Sequence, residues 1–484
     1  MEFPTDLLFS ILDFLLDDRI SLCRCCLVNR EFNCAASIFL YSEVVLNIRP
    51  SVIAFSPSNT AAPPRSRYER FCDVLLASAI LPANAPHVKI LRVKGYPDSL
   101  SETLLPAVRQ FKNLHTVQIT PDQSRDGLFV PILDELVKDR PSLVNLNINA
   151  ACMDEISAPI VKKLVGLRAL GLEGPNRTIL QILPDWLDRL NHLKELHLTR
   201  NCGSITPGVL RSLIPLLANI TAFSWGLSYS ITDDDLFSFL GQLPSLKQAK
   251  LRHYLQYKSP GPSDPMKRLR SLTICHDASD DEEFVDKLCD WTLRAVTESP
   301  IEIIHFCCDE YPINSEAPRC FDRLVEHLAQ FNVSTLRVLD LNGWLIGDSS
   351  ISLLAHTCFR LEELVMAVDP DGLAAFKTVL PTMKNLHTAA LHVCTDEHVL
   401  CIVSAEDTAE IMQLNGTLRR LTVNEWKIEG SWVSQDDQVV FVVRHSSENA
   451  SEEAPEIQVR SRSQLGLQAP AMNAIIEEEE EEDD

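Results

Sequence analysis

A spacing of apolar, two residues, apolar, one residue, apolar recurs thirteen times along this chain. It starts with Val88–Leu91–Val93, Leu114–Val117–Ile119, Leu143–Leu146–Ile148, Leu167–Leu170–Leu172 and Leu193–Leu196–Leu198. It continues through Ile220–Phe223–Trp225, Leu246–Ala249–Leu251, Leu269–Leu272–Ile274 and Ile301–Ile304–Phe306. The last copies are Leu336–Leu339–Leu341, Leu361–Leu364–Met366, Leu386–Ala389–Leu391 and Leu418–Leu421–Val423. First positions run from 88 to 418, a mean period of about 27.5 residues. The last two residues of each triplet are two apart and so share one face of a short strand, while the residue between them points the other way. About twenty further residues per period suffice for a turn, a helix and a return. Leu210, Leu213, Ile214 and Leu217 follow one strand at helical spacing, and Leu353, Leu354 and Leu361 lie near a later one. One such unit cannot bury its apolar face alone, but stacked neighbours can. Longer gaps after Ile301 and Leu386 predict insertions, and Lys258–Pro265, rich in proline, predicts a loop.

A period of 20–29 residues carrying this triplet resembles the leucine-rich repeat. LKELHLTRNCGSITPGVL, ending at Leu210, is similar to the strand–Asn/Cys–Ile-Thr–helix form of ribonuclease-inhibitor-like repeats. The stretches starting at Ile231 and Ile346 resemble the same form. The resemblance implies an α/β solenoid over residues 87–445, with a curved parallel sheet inside, helices outside and about thirteen repeats.

Residues 3–41 follow a different period. Leu7, Leu8, Ile11, Leu12 and Leu15 mark an amphipathic helix, with Thr5 or Asp6 as candidate N-cap. Ile20, Leu22, Cys26 and Val28 suggest a second, shorter helix. Asn29 is placed to cap a third, on which Phe32, Ala35, Ala36 and Phe39 share a side. Three short helices in under 45 residues bury little apolar surface without a partner. Cys23, Cys25, Cys26 and Cys34 do not have paired zinc-ligand spacing, so packing is the expected role of these thiols and no metal is expected.

The order Phe3-Pro4, Asp6-Leu7-Leu8, Ile11-Leu12, Phe14-Leu15, Leu22, Cys25 to Arg30 and Phe32-Asn33 resembles the F-box. Phe3 stands where that family more often has Leu, which keeps the apolar contact and changes its shape. Leu40 to Leu46 is similar to the strand by which F-box/leucine-rich-repeat proteins, fungal-type ones especially, enter their repeats. The resemblance implies that Pro4, Leu7, Leu8, Ile11, Leu15, Leu22 and Val28 pack on a Skp-family adaptor and, through it, reach a cullin scaffold. It also implies a substrate-recognition subunit of a ubiquitin ligase. The alternative is a leucine-rich-repeat scaffold whose N-terminal helices only cap the first repeat. The expected organisation is therefore an F-box over 1–46, a linker and first helix over 47–86, the solenoid over 87–445, and a disordered acidic tail over 446–484.

Composition narrows the partners. The formal charge is −23, and residues 446–484 hold twelve acids against two bases, leaving −13 for the rest. Such a body does not suit a duplex nucleic-acid binder or an anionic membrane surface. No apolar run is long enough to span a bilayer. The apolar opening has no basic n-region or small-residue cleavage site, so it does not read as a signal peptide. Fifteen cysteines scattered over 484 residues suit reduced thiols in the cytoplasm or nucleus. Of five Asn-x-Ser/Thr sequons, Asn219 and Asn415 fall where predicted strands begin, a poor place for a glycan.

Catalytic signatures are absent from the sequence: it has no phosphate-cradling glycine loop, no G-x-S-x-G and no H-E-x-x-H. No catalytic residue, cofactor or metal is expected. His276 beside the carboxylates after it is not read as an acid–base site, because Asp277–Glu283 reads as a solvated acidic loop. What remains is a binding surface for an unidentified protein substrate. The residue between the second and third apolar positions, and the one after the third, should face the concave sheet. The candidates are Asn147, Asn149, His197, Thr199, Lys250 and Arg252, with His305, Asp340, Asn342, His392 and Asn424 further along. They are mixed, polar and only patchily charged, as suits a protein epitope.

Residues 446–484 have few aromatic or β-branched side chains and close on eight acids, Glu477–Asp484. Such a segment does not bury enough apolar surface to offset its ordering entropy. Deleting it is expected to leave the melting temperature unchanged in a calorimetric scan.

Overall fold

The computed structural model describes residues 4–16, 18–48, 67–95, 100–121, 127, 129–138, 142–254, 266–277, 282–308, 321–394, 403–435 and 438–445. The predicted Pro-rich loop, residues 278–281 of the predicted acidic loop and the acidic tail lie outside these residues; Glu282 and Glu283, expected in that loop, instead open the helix Glu282–Val296. Among the described residues the fold is mixed α/β. Its sixteen strands follow chain order in one mostly parallel sheet, as a repeat solenoid requires. The chain divides after Leu272 into two compact units, within the stretch the repeat spacing presents as continuous.

The first unit opens with three helices, α1 (Thr5–Asp13), α2 (Arg19–Cys25) and α3 (Arg30–Leu40). Its strands are β1 (Glu43–Ile48), β2 (Ile90–Gly95), β3 (Thr116–Thr120), β4 (Asn145–Asn149), β5 (Ala169–Glu173), β6 (Glu195–Asn201), β7 (Ala222–Leu227) and β8 (Gln248–Arg252). They pair in parallel, and the second residue of each triplet falls in register with the next. Leu91 pairs with Val117, Leu146 with Leu170, Leu196 with Phe223, and Phe223 with Ala249.

The division falls within β9 (Ser271–His276). The second unit continues with β10 (Ile303–Cys308), β11 (Val338–Leu345), β12 (Glu363–Val368), β13 (Thr388–Val393) and β14 (Arg420–Val423). Ile304, Leu339, Leu364, Ala389 and Leu421 are again in register. Across both units no side chain of the thirteen triplets is more than 5% exposed. This uniform burial is what makes the spacing a structural repeat.

The end of the sheet departs from the triplet rule. β15 (Trp426–Gln435) pairs antiparallel with β14, and β16 (Gln438–His445) pairs antiparallel with β15. The hairpin buries Ile428, Phe441 and Val443 over the last repeat, and at Gly430 an added Cβ would meet the Phe441 ring. A hairpin of this kind covers the last repeat's apolar surface.

Between strands, buried polar side chains satisfy carbonyls that the irregular returns leave unpaired. Trp186 Nε1 donates to the Leu164 carbonyl at 2.8 Å, and Asn332 Nδ2 donates to that of Ser299 at 2.8 Å. Asn415 Nδ2 donates to the carbonyls of Leu380 and Met383 at 3.0 and 2.9 Å, while its Oδ1 accepts from Thr417 N. Asn415 therefore serves as an internal brace, whereas Asn219 is exposed. Replacing Asn415 with Leu orphans two carbonyls and should cost about 2–4 kcal/mol. Urea unfolding followed by the fluorescence of Trp432, whose Nε1 donates to the adjacent Gly416 carbonyl, should show a lowered midpoint.

Candidate protein-interaction sites

The three-helix segment has a filled interior. Leu8, Leu12, Leu22, Ala35 and Ala36 are buried together, with Phe9, Leu15, Phe32 and Phe39 packed partly against them. Asp18 caps α2 through Ser21 N, and Asn29 caps α3 through Phe32 N as expected. The hydrogen bonds from Ser21 hold the Asp18 carboxyl below its usual range. Helix α1 differs from expectation: its N-cap is Pro4, with no side-chain cap hydrogen bond.

Burial splits the seven residues proposed for the adaptor. Leu8 (3% exposed) and Leu22 (1%) belong to the interior, which corrects their assignment to the outer face. Leu15 is half-buried, and Pro4, Leu7, Ile11 and Val28 are exposed. The structure adds Phe14, Leu16, Ile20 and Leu27. Of fifteen large hydrophobics exposed among the described residues, seven lie between Leu7 and Val28. Leu7, Ile11 and Phe14 are spaced four and three apart, on a different stripe from Leu8 and Leu12. A helix with two apolar stripes can bury one internally and leave the other for a partner. That doubling was the signal in the sequence.

The segment is tied to the repeats through polar contacts. Glu43 on β1 meets Arg19 of α2 at 3.3 Å and Arg92 of β2 at 2.5 Å. Tyr41 Oη lies 2.5 Å from Ser78 Oγ on helix Arg67–Ala79. All of these ion-paired side chains are partly exposed, so they contribute orientation more than stability.

The open face of the first unit's sheet carries a depression of about 500 Å³. Asn147, His197, Thr199 and Lys250 line it together, joined by Gln118, Glu173 and Ser224. Arg92 donates to Gln118 at 3.1 Å, Asn147 Nδ2 donates to Glu173 Oε1 at 3.0 Å, and His197 Nδ1 meets Ser224 Oγ at 2.7 Å. Gly171 makes room for this arrangement, because a Cβ there would sit 2.6 Å from Asn147 Oδ1. Arg200 Nε lies 2.9 Å from Glu173 Oε2 as an ion pair without hydrogen-bond alignment. Arg252 is not part of this lining.

Asn149 does not face a partner. It is 9% exposed, donates to the Pro121 carbonyl at 2.6 Å and accepts from Ala151 N. Asn424, at φ +51°, accepts from Val393 N at 2.8 Å and pins the end of β13. Both follow the third apolar position, where the strand ends and the backbone turns. Their amides are used on backbone groups there, and Asn149, being buried, is corrected to a structural role. Asn342, at φ +47°, lies within β11 beside a break in the β11–β12 register, with its N–H bonded to Asp340 Oδ1.

On the second unit's sheet, His305 Nδ1 lies 3.2 Å from Asp340 Oδ2. Its hydrogen bond to Asp340 raises the His305 pKa against the opposing effect of burial. His392 is shifted the other way, because burial disfavours its charged form more than Asp340 favours it. Buried thiols elsewhere are pushed upward by desolvation, Cys202 to about 11, as suits packing. No group of three or more metal-ligating side chains occurs among the described residues, and no helix among them is long and apolar enough to cross a membrane.

Two histidines on one sheet thus shift in opposite directions. By proton titration in NMR spectra, His305 should titrate above the ordinary imidazole value and His392 below it. Asp340→Asn should bring the His305 midpoint down. The stabilisation from the His305–Asp340 pair is complete below the unfolded histidine pKa and is lost as pH rises through the raised folded value.

No family model matches the chain, and no curated protein matches it. Among solved structures it is similar to one from the complex of Rad7 and Elc1 in yeast. Sequence identity is 14%, the match covers 68% of this chain and 84% of that one, and the TM-score is 0.37. It is also similar to a chain of the Drosophila Toll–Spätzle complex at 11% identity, over 73% of this chain and 53% of that one, with a TM-score of 0.29. These likenesses are too distant to carry function, and the repeat architecture rests on the strand register described above.

Proposed function

We propose that this chain is a non-catalytic receptor subunit of a ubiquitin ligase. Its N-terminal helices would dock on a Skp-family adaptor, and through it on a cullin, while its repeats hold a protein substrate. The observation that carries the reading is the exposed apolar stripe Leu7, Ile11 and Phe14 on a module whose own core is already filled. Exposed apolar surface concentrated in one short segment marks an interaction site. It suits a helix face laid into a partner's hydrophobic groove. Substrate ubiquitination would then follow from raised local concentration, with the covalent chemistry on other subunits.

The scaffold reading has its own support. Glu43 and Tyr41 bind the same helices to the first repeats, as a cap would be bound. The two readings separate on adaptor retention. Full-length protein co-expressed with the adaptor should co-purify with it. Ile11→Asp with Phe14→Asp places two carboxylates where a dry interface would form and should weaken the complex by about a hundredfold or more. Both sites are exposed, so circular dichroism and the melting temperature should hold. Leu8→Asp, by contrast, should melt the module itself. Wild-type protein that retains no adaptor at micromolar concentration leaves the scaffold reading standing.

A further inference from the structure

In the first unit, the residue just ahead of each strand is held in a continuous backbone ladder. Lys89 N donates to the Ser42 carbonyl, His115 N to that of Lys89, and Val144 N to that of His115. The ladder continues through Arg168, Lys194, Thr221 and Lys247, each N–H bonding to the carbonyl of the one before. These residues therefore occupy the same position in successive repeats, about 4.8 Å apart. Lys89, His115, Arg168, Lys194 and Lys247 are all exposed, and none makes an ion pair with a described residue. No rung of this ladder carries a carboxylate. Glu195, the acid next along the chain, lies 3.3 Å from His197 Nε2 on the sheet face.

The second unit shows that such a row is not a requirement of the repeat. The same ladder position there runs Glu302, Arg337, Glu362, His387 and Arg419. Acids are interspersed with bases there, and Arg337 holds Glu362 in a two-pronged pair at 2.8 Å on each arm. Uncompensated positive charge on the first unit is also unusual for a chain of net charge −23.

We propose that this strand-start edge of the first unit binds an extended acidic peptide segment of a partner protein. From Lys89 to Lys247 the row spans seven rungs and six intervals, about 29 Å, the length of about nine extended residues. Four of its seven rungs, Lys89, Arg168, Lys194 and Lys247, carry Lys or Arg in single file, so it matches one chain carrying carboxylates on one side. A duplex would need a second row for its other backbone. A single nucleic-acid strand would want aromatic stacking platforms, and the ladder residues and those following them (Ile90, Thr116, Asn145, Ala169, Glu195, Ala222, Gln248) include no Phe, Tyr or Trp. At physiological ionic strength the molecule's distant acids are screened beyond about 8 Å, so the local row governs the contact. The proposal is independent of the adaptor reading, because no residue of the row belongs to the three-helix segment.

The test is fluorescence anisotropy of a labelled ten-residue glutamate peptide titrated with full-length protein at low salt. Binding is expected, weakening as salt rises, with a glutamine peptide of equal length not bound. Arg168→Glu with Lys194→Glu should weaken binding by about tenfold or more. Arg419→Glu with Arg420→Glu makes the same net charge change on the second unit and should leave it unchanged. A second full-length protein with the acids of Glu477–Asp484 neutralised covers competition from the chain's own acidic end; binding to that protein alone still supports the edge. Failure of the peptide to bind either protein overturns the proposal, as does equal loss in both charge-reversed variants. A single-stranded oligonucleotide of equal charge that binds more tightly than the peptide, and is lost in the same variant, assigns the edge to nucleic acid instead.

Discussion

Lateral registration of apolar pairs between neighbouring parallel strands is the constraint on which the rest of this structure depends. A parallel strand cannot turn directly back onto its neighbour and needs a crossover of a dozen or more residues. Each repeat therefore spends most of its length returning to the sheet. The return varies widely, from the four-residue helix Ala158–Val161 to the fifteen-residue helix Glu282–Val296. The strand does not vary in the same way, because Leu146 must meet Leu170 and Leu339 must meet Leu364 for the interior to close. A slip of one residue would turn both apolar side chains of a triplet outward.

That constraint determines where function can lie. Triplet positions are consumed by packing, and the amides at strand ends are often consumed by turns, as Asn149 and Asn424 are. Two classes of position remain free to vary: the residue between the paired apolar side chains, and the rung ahead of the strand. Both repeat once per period, so any property placed there becomes a row. On the sheet face the row is a hydrogen-bonded polar network, with Asn147–Glu173 and His197–Ser224 coupling adjacent strands. At the strand start of the first unit, Lys89, Arg168, Lys194 and Lys247 recur with like charge and no ion pair to a described residue.

The N-terminal helices meet a different problem. A module this short cannot bury much, yet α1 is apolar on two sides. The resolution is a division of labour: Leu8 and Leu12 close the interior with Leu22 of α2 and Ala35 and Ala36 of α3, and Leu7, Ile11 and Phe14 are left in water. Leaving such side chains exposed is unfavourable for the isolated chain, and a partner that covers them recovers that free energy. The Glu43 contacts to Arg19 and Arg92 tie this segment to the first repeats at their polar surfaces, without using the apolar stripe.

The sequence alone determined the repeat, because its signal is periodic and one-dimensional. Every triplet from Val88 to Val423 is buried with its last two residues on a strand, and Asn29 became the cap its spacing foretold. The closing hairpin Trp426–His445 was not legible in the same way, since the triplet stops there and pairing turns antiparallel. Nor could spacing separate Leu7 from Leu8, adjacent leucines of which one is 49% exposed and the other 3%. Which stripe of a doubly apolar helix goes inside depends on α2 and α3 packing against it, a contact between segments that no local pattern records. The cationic rungs are a related case. Successive members of Lys89, Arg168, Lys194 and Lys247 are 26 to 79 residues apart in sequence and read as unrelated surface charges. They become one edge only when the carbonyl of each repeat accepts the N–H of the next, because the stacking of strands turns distance along the chain into adjacency in space.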